Sequence, residues 1–168
     1  MLIRMKTLLV LRHAKASRDD ESLPDHDRPL TKRGIKAAQR MGELLREQQL
    51  LPDLVLSSTA ARARSTAEIA AREANVAIGV ALLPELYLAE PPAYVDALRK
   101  LEAVVTRVLV VGHNPGIETL IYRLTGDAEH MPTAALAVCE LPIASWSELG
   151  PETRGTLARV FRPKGLEE

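Results

Sequence analysis

Aromatic residues are scarce in this sequence: one Trp, one Phe and three Tyr. So few rings argue against a base-stacking surface for RNA or single-stranded DNA. An excess of basic charge is missing as well. Lys plus Arg and Asp plus Glu number 22 each, whereas a general nucleic-acid binder carries a basic excess. Any anion site must therefore be local. No apolar stretch is long enough to cross a bilayer, so no membrane association is expected. The opening Met1-Leu2-Ile3-Arg4-Met5-Lys6 lacks the apolar stretch and small-residue cleavage site of a secretory signal, and either Met1 or Met5 could be the start. Cys139 stands alone, which excludes an intramolecular disulfide and fits a reducing, cytoplasmic setting. Its neighbours Leu136-Ala137-Val138 and Leu141 mark it as core filler rather than a catalytic thiol. Internal repeats, low-complexity tracts and linkers are also missing, so residues 1–168 read as one domain.

What is present is an alternation of strand and helix signals. Leu8-Leu9-Val10-Leu11 is a short apolar run that stops at Arg12-His13, as a buried strand would. Ala16 to Pro29 reads as a polar loop punctuated by Pro24 and Pro29. Thr31 is placed to cap a helix whose apolar positions are Ile35, Ala38, Met41, Leu44 and Leu45, ending near Gln49. Asp53 to Ser58 is a second strand-like run, and Ala60 to Glu73 an Ala-rich helix. Val76 to Leu83 predicts a third strand. Pro91-Pro92 opens a helix to about Val104, and Arg107 to Val111 is the clearest strand. It ends at Gly112-His113-Asn114-Pro115-Gly116, before a helix to about Leu124. Ala134–Leu141 and Leu157–Phe161 follow as strands without an intervening helix, which predicts an antiparallel addition at one end of the sheet. Gly165 to Glu168 reads as a frayed tail. The expected architecture is α/β: a three-layer α/β/α sandwich on a mostly parallel central sheet.

In an open α/β sheet, ligands bind outside the carboxyl ends of the strands. Those ends deliver Arg12 and His13, Arg62 in the first turn or so of a helix, and His113. Topology alone therefore gathers two guanidiniums and two imidazoles in one pocket. Arg offers a planar fork of donors that matches phosphate oxygens, and a helix N-terminus near Ala60 would add to the field. Nearby positive charge disfavours imidazolium and keeps a nitrogen lone pair available for attack. The same guanidiniums would stabilise phosphoryl oxygens during in-line transfer.

Leu11-Arg12-His13-Ala14-Lys15, the segment Ser57 to Ala67, and Val111-Gly112-His113-Asn114 resemble the histidine phosphatase superfamily in order and separation. Arg28-Pro29-Leu30-Thr31, followed by Gly34, also resembles the segment after that family's first motif. The short chain and the Arg-His-Ala-Lys form resemble the SixA-type branch, which removes phosphate from phosphohistidine in proteins. The resemblance implies that His13 is the nucleophile, that Arg12, Arg62 and His113 clamp the phosphoryl oxygens, and that Glu85 stands at the place of the family's proton donor. It implies no metal and no organic cofactor, and a phosphorylated protein or small phosphorylated molecule as substrate. Two positions depart from members that act on small phosphoesters: Ala16, where a Ser or Thr is usual, and Asp19, where Asn is usual. A carboxylate at 19 would repel phosphate if it faced the pocket. Long insertions that would cover the pocket are missing, which suits a protein side chain.

Leaving-group chemistry agrees with this substrate class. A P–N bond to protonated imidazole releases a neutral group whose conjugate acid has a pKa of about 6.5, so little acid assistance is needed. An alkoxide needs far more. A misplaced Glu85 would therefore favour P–N substrates. Three alternatives stand beside this reading: a small-molecule phosphomonoesterase, a non-catalytic phosphate-binding module, and a metal-dependent hydrolase. Asp25-His26-Asp27 reads as a solvated loop rather than a metal site. His130 reads as structural or exposed. Lys15 and Ser17 could touch substrate from the loop or equally lie exposed to solvent, and Trp146, in a polar loop, could anchor a partner.

Overall fold

The structure, a computed structural model, describes residues 4–163. The predicted tail at Gly165–Glu168 and the choice between Met1 and Met5 lie outside the described residues.

The first apolar run forms strand β1 (Lys6–Arg12), in which Leu8, Leu9, Val10 and Leu11 are fully buried. A run apolar on both faces is what a central strand covered by helices requires. The elements then follow as α1 (Lys32–Glu47), β2 (Leu54–Ser58), α2 (Ala61–Glu73), β3 (Val80–Leu83), α3 (Pro91–Arg99), β4 (Arg107–Gly112), α4 (Gly116–Thr125), β5 (Leu136–Leu141) and β6 (Thr156–Phe161). The sheet order is β3-β2-β4-β1-β5-β6. β1, β2, β3 and β4 run parallel, while β5 pairs antiparallel with both β1 and β6. The C-terminal addition thus contributes two strands at one edge.

Alternation along the strands divides the core. Leu9, Leu11, Val55, Leu109 and Val111 pack with α1 and α2 on one face. Leu8, Val10, Leu56, Val108 and Val110 pack with α3 and α4 on the other. The result is the expected α/β/α layering.

Three elements depart from the sequence-based expectation. β3 begins at Val80 rather than Val76. Val76 instead closes α2, its N–H donating to Ala71 O at 2.9 Å, beside Asn75 in the left-handed region (φ 61°). α3 stops at Arg99 rather than near Val104. Lys100 and Leu101 N–H both turn back to Leu98 O, closing the helix in a tightened last turn, and a separate turn follows in which Val105 N donates to Glu102 O at 3.1 Å before β4. The third concerns Trp146, read from the sequence as a possible partner anchor in a polar loop. It is fully buried, on a single 3-10 turn (Trp146–Glu148) held by a Ser145/Glu148 capping box. Its polar neighbours face out while the indole joins the core with Leu98, Leu149 and Ile143.

The N-terminus of α1 is fixed to the segment following β1. Thr31 caps the helix, its Oγ1 accepting from Gly34 N at 3.0 Å, and Thr31 N donates to Lys15 O at 2.9 Å. A Cβ at Gly34 would collide with Lys15 O, so the close approach requires glycine there. Trp146→Ala is expected to lower the unfolding free energy by about 3–5 kcal/mol in urea titrations. An unchanged midpoint would remove Trp146 from the core.

Candidate active site

The backbone that leaves β1 is held from both sides. Arg12 N donates to Ala135 O (3.0 Å), His13 N to Gly112 O (3.1 Å), and Ala134 N to the carbonyls of Arg12 and His13 (3.1 Å each). Thr66, buried on α2, accepts from Ala14 N at 2.9 Å and donates to Arg62 O at 2.7 Å. One hydroxyl therefore joins the segment carrying His13 to the helix turn carrying Arg62.

These constraints bring Arg12, His13, Arg62 and His113 to the edge of one open cleft of about 430 Å³. His13 is buried, and its Nδ1 lies 2.8 Å from Ala14 O. A carbonyl oxygen only accepts, so Nδ1 carries the proton and Nε2 keeps its lone pair. Nε2 has no hydrogen-bond partner among the described residues. The His13 and His113 rings stand 5.2 Å apart. His113 Nε2 is 2.7 Å from Ser58 Oγ, which also accepts from Ala60 N at 3.2 Å.

Each guanidinium is anchored at one end. Arg62 is almost fully buried, and its Nη1 and Nη2 donate to Asp25 O (2.8 Å) and Asp25 Oδ2 (3.0 Å). Arg12 Nη1 donates to Met131 O at 3.1 Å. Nε of both residues is buried without a partner among the described residues. Both side chains line the cleft. Asn114 extends the frame: its Nδ2 donates to Glu118 Oε2 (3.1 Å) and Met131 O (2.8 Å), and its Oδ1 is buried and unpartnered.

Asp25 is the residue that sequence reasoning passed over. The Asp25-His26-Asp27 segment, read as a solvated loop, is a single 3-10 turn docked on the site. Asp25 takes Arg62 and the Tyr87 hydroxyl (2.5 Å) on Oδ2, and Arg28 Nε (3.2 Å) on Oδ1. His26 Nε2 meets Thr59 Oγ1 at 2.8 Å and packs edge-on against Tyr87. Tyr87 also meets the His113 ring, at 5.6 Å. No spacing signal marks these contacts, because Asp25, Arg62 and Tyr87 belong to three separate elements. Asp19 is exposed and does not line the cleft. Glu85 is exposed on the 3-10 turn Pro84–Leu86, outside the lining residues, while the adjacent Leu86 is buried. His130 is exposed and pairs with Glu118 at 3.2 Å. Among the described residues, no three His, Cys, Asp or Glu side chains group as a metal site.

Burial dominates the electrostatics. It lowers His13 to about 4, with Arg62, Arg12 and Arg28 adding to the shift against the Ala14 hydrogen bond. Burial, His13 and the arginines lower His113 to about 3. Both imidazoles are therefore neutral near pH 7. Asp25 is held down at about 2, chiefly by the Tyr87 hydroxyl and also by Arg62. The unfolded chain protonates its histidines near 6.5, whereas these two resist until about 4 and 3. In that window the unfolded state binds more protons, so stability falls as pH drops through it.

The sign of Asp25's influence can be measured. If the carboxylate serves to hold the Arg62 fork, Asp25→Ala weakens competitive inhibition by inorganic phosphate about tenfold, although it removes a negative charge. Tighter inhibition would instead show that Asp25 acts on phosphate by repulsion.

The sequence matches the histidine phosphatase superfamily (branch 1) over residues 8–87. An uncharacterized Mycobacterium tuberculosis protein is 34% identical over 152 residues, covering 84% of this chain and 92% of the relative. The structure of a SixA protein from Nakamurella multipartitia superposes with a TM-score of 0.83 at 30% identity, covering 95% of this chain and 96% of that one. The protein histidine phosphatase SixA complexed with tungstate superposes with a TM-score of 0.82 at 27% identity, covering 96% and 99%. With its cleft at the carboxyl edge of a β3-β2-β4-β1-β5-β6 sheet, this chain belongs to the histidine phosphatase superfamily and is of the SixA type.

Proposed function

We propose that this chain is a phosphohydrolase that removes phosphoryl groups from protein phosphohistidine through a covalent intermediate on His13. The observation that carries the proposal is the tautomer of His13: Nδ1 is committed to Ala14 O, leaving Nε2 unprotonated at a cleft bordered by two guanidiniums.

In the first step Nε2 attacks phosphorus in line and forms a new P–N bond. The substrate's own P–N bond breaks, and its electron pair returns to the leaving imidazole. Arg12 and Arg62, which line the cleft, would hold the equatorial oxygens. His113, neutral and oriented by Ser58, would complete the clamp. In the second step water attacks the phosphorylated His13, releasing inorganic phosphate and restoring neutral imidazole. Neither step calls for a metal or an organic cofactor.

The position of Glu85 supports a P–N substrate over an alkyl phosphate. An alkoxide leaving group needs an acid close to the bridging oxygen, and Glu85 does not line the cleft. Asp25 does line it but is held ionised, so it has no proton to give near pH 7. A leaving imidazole already protonated on its other nitrogen needs none. The SixA structure bound to tungstate, a tetrahedral oxyanion, agrees with an oxyanion site in this fold.

Incubation with a labelled phosphodonor and acid-free quenching is expected to leave an acid-labile, alkali-stable label on His13. His13→Ala should abolish both label and turnover, and equal rates for the two proteins would remove His13 as nucleophile. Phosphohistidine peptides are expected to outpace sugar phosphates and nucleotides; a preference of more than about tenfold for any alkyl phosphate reverses the assignment. The acid limb of kcat/KM should lie near pH 4, where free His13 takes up its proton. A limb at the ordinary imidazole value would show that His13 is not desolvated in the working enzyme.

A further inference from the structure

Arg12 and Arg62 do not exhaust the positive charge of the cleft, which Lys15, Arg18 and Arg28 also line. Arg28 is committed, with Nε on Asp25 Oδ1 at 3.2 Å and Nη1 on Ser17 O at 3.4 Å. Lys15 and Arg18 are exposed, and neither side chain has a hydrogen-bond or ion-pair partner among the described residues. Asp25 is the only carboxylate among the lining residues, and Arg62, Arg28 and Tyr87 occupy it. Asp19, Asp20 and Glu21 follow Arg18 in sequence, but none of them lines the cleft. A phosphoryl group gripped by Arg12 and Arg62 leaves two further cations at the mouth with no anion to meet.

A second observation concerns the same mouth. Leu88 lines the cleft, is 56% exposed, and has φ of 50°. A left-handed backbone is unfavourable for a branched, bulky residue and persists only where its surroundings impose it. Here they do. Tyr87 N donates to Pro84 O (3.1 Å) and Ala89 N to Leu86 O (3.4 Å). Ala89 O in turn packs so closely on Gly116 that a Cβ there would collide with it. The fold keeps an apolar side chain in water beside a charged cleft, in a backbone conformation that leucine disfavours. Strain of this kind at the edge of a site points to a contact made with another molecule.

We propose that Leu88, Lys15 and Arg18 form a docking surface for the protein that carries the phosphohistidine, and that it selects carboxylates and an apolar side chain next to the phosphorylated residue. This rests on the phosphohistidine reading above. The two cations would steer an acidic segment to the cleft and hold it in register, and Leu88 would cover the partner's apolar neighbour. A small phosphorylated molecule would engage the clamp but carries no acidic flank for the two cations to read.

Two synthetic peptides test the proposal, each phosphorylated on a single histidine. Both carry a leucine near the phosphohistidine; one is flanked by aspartates and the other by lysines. p-Nitrophenyl phosphate serves as the small reference substrate. The acidic peptide is expected to have a kcat/KM about tenfold above the basic one at low salt, with the gap closing as added salt shortens the screening length. The double variant Lys15→Glu, Arg18→Glu should abolish or reverse that preference. Its loss on the acidic peptide should exceed its loss on p-nitrophenyl phosphate by about tenfold. Leu88→Ser should lower both peptides relative to the small substrate without altering the charge preference. Equal turnover of the two peptides by the unmodified enzyme overturns the docking surface and leaves the phosphohistidine reading standing. Turnover of p-nitrophenyl phosphate through labelled His13, with neither peptide consumed, overturns both.

Discussion

The site depends on the register of β1 against β4. Arg12 pairs with Gly112 across the parallel ladder, so the residues that leave the two strands are His13 and His113. The His13 N–H continues the ladder onto Gly112 O, and the two rings end 5.2 Å apart, close to the spacing of neighbouring strands. A slip of one residue would turn every side chain of β1 to the opposite face and carry Leu9 and Leu11 away from α1 and α2. The register is thus enforced by core burial along the whole strand, and the chemistry at its end inherits that precision. β2 extends the same edge through Ser58, which holds His113, and α2 follows it with Arg62.

A cluster of cations in a partly buried cleft is costly unless each is answered by a counter-charge or dipole. Asp25 answers Arg62, whereas a backbone carbonyl and the more distant Glu118 serve Arg12. The histidines are handled differently: burial keeps them neutral, so they add no charge. A neutral imidazole beside fixed positive charge and partly withdrawn from water suits the proposed attack on an anion, because neither mutual repulsion nor a tight hydration shell must first be overcome.

Much of this arrangement was legible in the sequence because it lies on regular elements. Apolar runs that stop at polar residues mark strand ends, and parallel strands share a carboxyl edge, so Arg12, His13, Arg62 and His113 could be drawn together from pattern and topology. The fold class followed from the same alternation. Asp25 and Tyr87 were hidden because their meeting with Arg62 depends on the path of irregular chain, for which periodicity offers no guide. Trp146 was misread for a related reason: its neighbours are polar, and burial of one ring on a short 3-10 turn leaves no repeating pattern. The early end of α3 is a tightened turn on Leu98 O, and end positions of this kind leave little trace in helix propensity.

The Thr66 hydroxyl has a mechanical meaning. By accepting from Ala14 N and donating to Arg62 O, it ties the segment that carries His13, itself fixed to the sheet, to the first turn of the helix that carries Arg62. The relative placement of the His13 ring and the Arg62 guanidinium is thereby set during folding, which is the pre-organisation the proposed attack on a bound phosphoryl group would draw on.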